Sequence, residues 1–226
     1  LRLENYLMKK KTIIALSVIF GYFILDQIIK IWVKTNMMMG EEIHIIGDKI
    51  MFHFTENAGM AFGMELGGSW GKLALSLFRI VAISGLSYYL YRIIKAGENT
   101  FYIVCIALVI AGATGNLIDC AFYGLIFNES FGQVAQIFPN GGGYESFLYG
   151  NVVDMFYCPV IESTYPDWFP FVGGQELLFF RPVFNVADSS ITISVFLMII
   201  FYKKVFKKNI GEIQAENPVS ETIPKE

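Results

Sequence analysis

Gly150-Asn-Val-Val-Asp-Met-Phe156 and Phe184-Asn-Val-Ala-Asp-Ser-Ser190 each set one carboxylate, Asp154 and Asp188, among apolar residues and beside Asn or Ser. The second stretch opens a long hydrophobic run. An ionisable side chain at the edge of a membrane span is costly to keep, which makes each Asp a candidate functional group. Two of them point to a carboxylate pair sharing a proton. A structural reading, in which each Asp caps or satisfies a helix end, explains these two stretches equally well.

The chain around them has the composition of a polytopic membrane protein. Of its 226 residues 54% are hydrophobic and 16% charged, against roughly 25% charged in soluble domains. Mean hydropathy is +0.51. A soluble globule of this size could not hide so much apolar surface, and the 21 Phe and 12 Tyr suit membrane interfaces. A net charge of -3 without a basic stripe argues against a nucleic-acid partner. Cys105, Cys120 and Cys158 form neither a metal-ligand spacing nor a redox pair in sequence.

Apolar runs over about 12–33, 70–91, 101–121 and 185–202 approach the roughly 20 residues that a crossing helix needs. Residues 1–7 look unlike the rest, and Met8-Lys-Lys-Lys11 resembles a natural start. The run after it is too long for a signal peptide and lacks a small-residue cleavage site before Asp26, so it reads as a retained span. Asp26 and Lys30 stand four apart near its far end, in the order that favours pairing. Lys30 snorkelling to the interface is the competing structural reading. Arg79 lies inside the second run and must face the bundle or snorkel.

Between the first two runs, Ile43-His-Ile-Ile46 and Ile50-Met-Phe-His-Phe-Thr55 flank Gly47-Asp48, a hairpin signature. His44 and His53 read as strand surface residues, since no Cys or carboxylate cluster joins them. Thr55-Glu-Asn-Ala-Gly-Met-Ala-Phe-Gly63 reads as a tight functional loop or as a plain turn. The third run ends Ala111-Gly-Ala-Thr-Gly-Asn-Leu-Ile-Asp119, where small residues permit close helix packing and Asn116 and Asp119 share a face.

Lys9–Lys11, the Arg92/Lys95 loop and Lys203–Lys208 fall on one side of a four-span arrangement; the stretch 122–180 has neither Lys nor Arg. The positive-inside rule then puts both termini in the cytoplasm. Asp26, Asn116, Asp119, Asp154 and Asp188 converge near the outer face, which packing alone would not require. The tail 203–226 reads as basic, then disordered.

Asp26-Gln-Ile-Ile-Lys30, Asn57-Ala-Gly-Met-Ala-Phe-Gly63, Gly115-Asn-Leu-Ile-Asp119, Val152-Val-Asp-Met-Phe156 and Phe184-Asn-Val-Ala-Asp-Ser-Ser-Ile191 occur in this order, in register with four spans. Over about 12–202 the chain resembles the bacterial lipoprotein signal peptidases, the type II signal peptidases. The resemblance implies an all-α membrane protein of four transmembrane helices, with a small extracytoplasmic β-structured cradle supplied by 43–64 and outer loop insertions. It implies an intramembrane-type aspartic endopeptidase of the cytoplasmic membrane, with a mobile helix over its site. Such an enzyme cuts prolipoproteins just before the diacylglyceryl-modified cysteine. The implied partners are those prolipoproteins and membrane lipid, with no metal or organic cofactor. By motif the catalytic pair is Asp154 and Asp188. Asp26, Lys30, Asn57, Gly59, Asn116, Asp119, Asn185 and Ala187 fall where the family shapes or lines its site.

Two departures stand out. The family usually has Arg directly after the Asp of its third-span motif, where this chain has Cys120; Arg181 is the sole cation in the outer region after span three. The segments from Asp119 to Asp154 and from Asp154 to Asp188 are also longer than usual. On the four-span reading Cys120 and Cys158 lie on the oxidising side, and spacing alone does not decide whether they are bridged. Within the pair, the N-terminal end of a helix favours Asp188 as anion and base, and apolar flanks favour Asp154 as acid. The competing function is a proton-coupled transporter using Asp26, Asp119 and Asp188 as a relay. A membrane scaffold would leave the carboxylates unexplained.

Overall fold

The helices of the first three apolar runs follow those runs and outlast them. In a computed structural model, which describes residues 2–58, 68–159, 161–164, 166, 168–170, 174, 176–179 and 182–203, α1 spans Arg2–Asn36 and α2 spans Gly68–Lys95. Hydropathy marks the part of a helix that crosses hydrocarbon, and the backbone does not stop where polarity begins. Residues 2–7, set apart by composition, therefore simply continue α1. Helix α3, Thr100–Ile118, starts on a side-chain cap from Asn99. It runs past its expected end through a π-helical turn, Asp119–Tyr123, into the short α4, Gly124–Ile126. α1, α2 and the stretch Thr100–Ile126 are long and apolar enough to cross a membrane. The fourth run forms α5, Val186–Ile200, which at 15 residues falls short of that length.

The third run is central because its residues are small. Ile103, Ile106, Ala107 and Ile110 bury against Ala15 of α1 and Leu90, Ile93 and Ile94 of α2. On another face, a Cβ on Gly112 would meet Ser190 Oγ of α5 at 2.5 Å, and one on Gly115 would meet Asp26 Oδ2 of α1 at 2.5 Å. Both helices thus approach α3 where it has no side chains. At the opposite end, Lys11 Nζ donates to the carbonyls of Gly97 and Glu98 at 2.7 and 2.6 Å. The Lys9–Lys11 run and the α2–α3 loop therefore share one end of the bundle.

The other end carries a four-stranded antiparallel sheet. The expected hairpin is β1, Glu42–Ile46, with β2, Ile50–Asn57, turning at Gly47 in the left-handed region (φ 50°). β3, Val152–Tyr157, pairs with β2, and the two-residue β6, Val183–Phe184, pairs with β3 and leads into α5. Val33 of α1 and Met37 just beyond it, Tyr123 and Phe127 after α3, and Phe54, Val153 and Met155 of the sheet form one core. That core fastens the sheet to the helix ends. Of the two long segments, the first folds along those ends, and the second contains a hairpin of β4, Ile161–Thr164, with β5, Glu176–Phe179.

Asp154 therefore sits on a strand and caps no helix. All three cysteines are free, so Cys120 and Cys158 are not bridged; Cys120 is buried in the π-turn. His44 and His53 occupy the hairpin surface beside Asp48 and Glu42. Gly59 and the rest of 59–67, Asp167, Arg181 and the tail from Lys204 lie outside the described residues.

Candidate active site

Three chain segments enter the site from the sheet. β2 ends on Asn57, β3 carries Asp154, and β6 delivers Asn185 to the start of α5. Asn57 lies opposite Val152 in the ladder, a diagonal neighbour of Asp154, and its amide donates to Asp154 Oδ2 at 3.3 Å. Asn185 donates its amide to Asp154 Oδ1 at 2.7 Å. Its side-chain oxygen accepts the Asp188 N–H at 2.9 Å, and Asp188 Oδ2 accepts the Asn185 N–H at 3.4 Å. This reciprocal capping box makes the helix-end reading correct for Asp188. From α3, Asn116 donates to Asp188 Oδ1 at 2.9 Å and accepts from Asn185 at 3.1 Å.

Beneath this layer lies a charged one. Lys30 is wholly buried and does not snorkel: its Nζ meets Asp26 Oδ2 at 2.9 Å, Asp119 Oδ2 at 2.8 Å and Asn116 Oδ1 at 2.8 Å. Two carboxylates flank one ammonium, and each has further duties. Asp26 accepts the backbone N–H of Ala187 at 3.0 Å, fixing the first turn of α5, and Asp119 accepts that of Val153 at 3.3 Å, fixing β3. The triad thus positions both elements that carry the Asp pair. Gln27 links Asp26 and Asp119 at 3.2 and 3.0 Å and accepts from Tyr123 at 3.1 Å.

A second buried ion pair, Lys34–Glu56, stands beside the first. Ser130 donates to Glu56 at 2.7 Å and Asn151 at 3.1 Å, so the residue before Asn57 is tied to the residue before β3. Burial pushes the Glu56 carboxyl up, but the Lys34 charge together with the hydrogen bonds from Lys34, Ser130 and Asn151 outweighs it and holds Glu56 below the usual carboxylate range. For Asp154 the balance is opposite. Burial, then the Asp188 charge, push it up to about 7, against the pull of Asn57, Lys30 and Asn185. One carboxyl is thereby disposed to hold a proton near neutrality while its neighbour lies at a helix N-terminus.

Nine of the ten expected site residues meet in these two layers, and the tenth, Gly59, is outside the described residues. Sequence reasoning passed over Gln27, although a Gln next to Asp26 in an apolar run was a signal, and Tyr123, which gave none. Arg79 of α2 faces the bundle and donates from Nη1 to Cys120 Sγ at 3.0 Å.

A protein of Porphyromonas gingivalis named lipoprotein signal peptidase is 50% identical over 195 residues, covering 86% of this chain and 84% of the relative. One of Amoebophilus asiaticus with the same name is 32% identical over 195 residues, covering 85% and 78%. Two solved bacterial membrane enzymes share the fold. One has a TM-score of 0.52 and 24% identity over 96% of this chain and 95% of the other; the second has 0.51 and 27% over 85% and 91%. These likenesses leave the transporter reading without support. The model of the family described as signal peptidase (SPase) II matches residues 18–204, the stretch that contains every residue named above around Asp154 and Asp188, and the chain belongs to that family.

Proposed function

We propose that this protein removes the signal peptide from prolipoproteins as an aspartic endopeptidase, with Asp154 and Asp188 as its catalytic pair. Family membership supports the reaction. The observation that carries the assignment of residues is the shared scaffold of the two carboxyls: Asn185 contacts both, and Asn57 and Asn116 each hold one. Protonated Asp154 donates to the scissile carbonyl oxygen. Ionised Asp188 takes a proton from water, whose oxygen adds to the carbonyl carbon. The intermediate collapses when the proton on Asp188 passes to the leaving nitrogen and Asp154 recovers its own. Asp26, Lys30, Asn57, Asn116, Asp119, Asn185 and Ala187 hold this geometry, and Gly59 follows Asn57 in the same motif.

The scissile bond, on this reading, lies just before a diacylglyceryl-modified cysteine, and the acyl chains stay in lipid. Four crossings, α5 being the last, place both termini in the cytoplasm and the sheet outside. Lys11 beside the α2–α3 loop, at the end opposite the sheet, supports that orientation. The test is cleavage of a diacylglyceryl-modified prolipoprotein by the purified protein in detergent. Conversion to the mature form is expected, and none by Asp154→Asn or Asp188→Asn. Full turnover by either variant would overturn the assignment.

A further inference from the structure

The segment between α4 and β3 exposes a set of large apolar side chains: Phe131 (77% exposed), Phe138 (75%) and Phe147 (52%), with Val134 and Ile137 beside them. Between Ser130 and Gly150 the one charged residue is Glu145. An outer loop in water has no reason to present five such side chains. Phe138 does so from a left-handed backbone (φ 51°), a conformation that bulky residues rarely adopt.

Each exposed residue is attached to the end of a membrane-crossing helix. Val134 bridges to Met38, just after α1, and the next residue, Ala135, donates to the carbonyl of Lys34 in the last turn of α1 at 3.2 Å. Ser130, next to Phe131, accepts from the Met39 N–H at 3.0 Å. Ile137 bridges to Phe127, and Phe138 donates to the carbonyl of Ile126, the last residue of α4, at 2.7 Å. The Phe147 ring packs edge-on against Phe122, centroids 5.7 Å apart. Phe122 and Leu125 are themselves exposed on the crossing stretch Thr100–Ile126, as are Met38 and Met39 beyond α1. The loop's apolar surface is therefore continuous with the surface that the helices turn to lipid.

We propose that the segment 131–147 is a lipid-contacting collar, with Phe131, Phe138 and Phe147 lodged in the interfacial region of the outer leaflet. Aromatic rings are favoured at that depth, and a segment with a single charge loses little on entering it. The collar fixes the depth of the helix ends, and hence of β3 and Asp154, relative to the membrane surface.

The test places a nitroxide at Phe131→Cys and Phe138→Cys, with Asp48→Cys as the water-side reference, since Asp48 is 91% exposed at the β1–β2 turn. The background is the full chain with Cys158→Ser, whose own labelling gives the blank for buried Cys105 and Cys120. The protein is reconstituted in phosphatidylethanolamine–phosphatidylglycerol vesicles. Collisions with oxygen, which enters lipid, are compared with those of a water-soluble nickel chelate. Oxygen-to-nickel ratios several-fold above the Asp48 site are expected at both positions. Ratios equal to that site would put the loop in water, and shielding from both reagents would put a protein partner there; either result overturns the proposal. The readout is lipid contact, so it is independent of whether Asp154 and Asp188 cut peptide.

Discussion

The amide nitrogen of Asn185 lies 2.7 Å from Oδ1 of Asp154, so the residue that caps α5 also fixes the carboxyl of β3. The two duties separate by mutation. Asn185→Ser keeps a good cap and loses the reach to Asp154, so stability should change little while cleavage falls by roughly 100-fold, the scale of a misplaced catalytic group. Asn185→Ala should lose the same activity and a further ~1 kcal/mol with the cap. Thermal unfolding in detergent and a gel-shift assay of prolipoprotein processing read the two effects. Equal stability loss in both variants would mean that the cap does not matter.

Lys30 should be the most sensitive position for stability. Its removal leaves Asp26 and Asp119, 2% and 0% exposed, without their common counter-charge. Lys30→Met should cost about 3–5 kcal/mol. Asp26→Asn should cost less, because Asp119 still pairs with Lys30, and should lower activity along with expression. The measurement is the amount of folded protein recovered from membranes, followed by its unfolding temperature.

Much of this was legible in the sequence, and the reason differs by residue. Asp26 and Lys30 are four apart on a helix, so their pairing is local. Asn185 and Asp188 are three apart at a helix start, the spacing of a capping box. Asp154 carried no such signal. Its strand is defined by pairing with β2, nearly a hundred residues earlier in the chain, and short apolar runs do not separate strand from helix. The Lys34–Glu56 pair and the approach of Arg79 to Cys120 depend likewise on which elements become neighbours. Periodicity within either segment does not encode that.

Orientation can be read chemically. Gly97 and Gly142 hold left-handed backbones (φ 74° and 86°), so their neighbours make better probe sites. In the Cys158→Ser background, Glu98→Cys should be shielded from an impermeant maleimide in intact spheroplasts and labelled after lysis. Gly141→Cys, where a Cβ meets nothing within 4 Å, should be labelled in both. The reverse pattern would invert the four-crossing arrangement.

Asp154 gives the sharpest test, because its proton should be visible in both rate and stability. The folded protein raises this carboxyl from 3.8 to about 7 through burial and the Asp188 charge. Folded chains therefore hold a proton that unfolded chains release. This contribution to stability is complete below the unfolded value and is lost as pH rises from about 3.8 to about 7. The gap corresponds to something on the order of 4 kcal/mol against the folded state at about pH 8. Asn cannot ionise and escapes it. Asp154→Asn should therefore be inactive by roughly 10⁴-fold, yet unfold at a higher temperature than the unaltered protein at about pH 8, with the difference closing below about pH 4. Asp188→Asn should be inactive too, and by removing the neighbouring charge it should shift the Asp154 titration downward. The unaltered enzyme should lose rate as pH rises through about 7, when Asp154 gives up the proton it donates. Unfolding curves for the three proteins across that pH range, beside their cleavage rates, decide the matter. An inactive Asp154→Asn protein whose stability relative to the unaltered protein does not rise between about pH 4 and pH 8 would show that the buried carboxylate is not penalised, and Asp154 would lose its role as the acid of the pair.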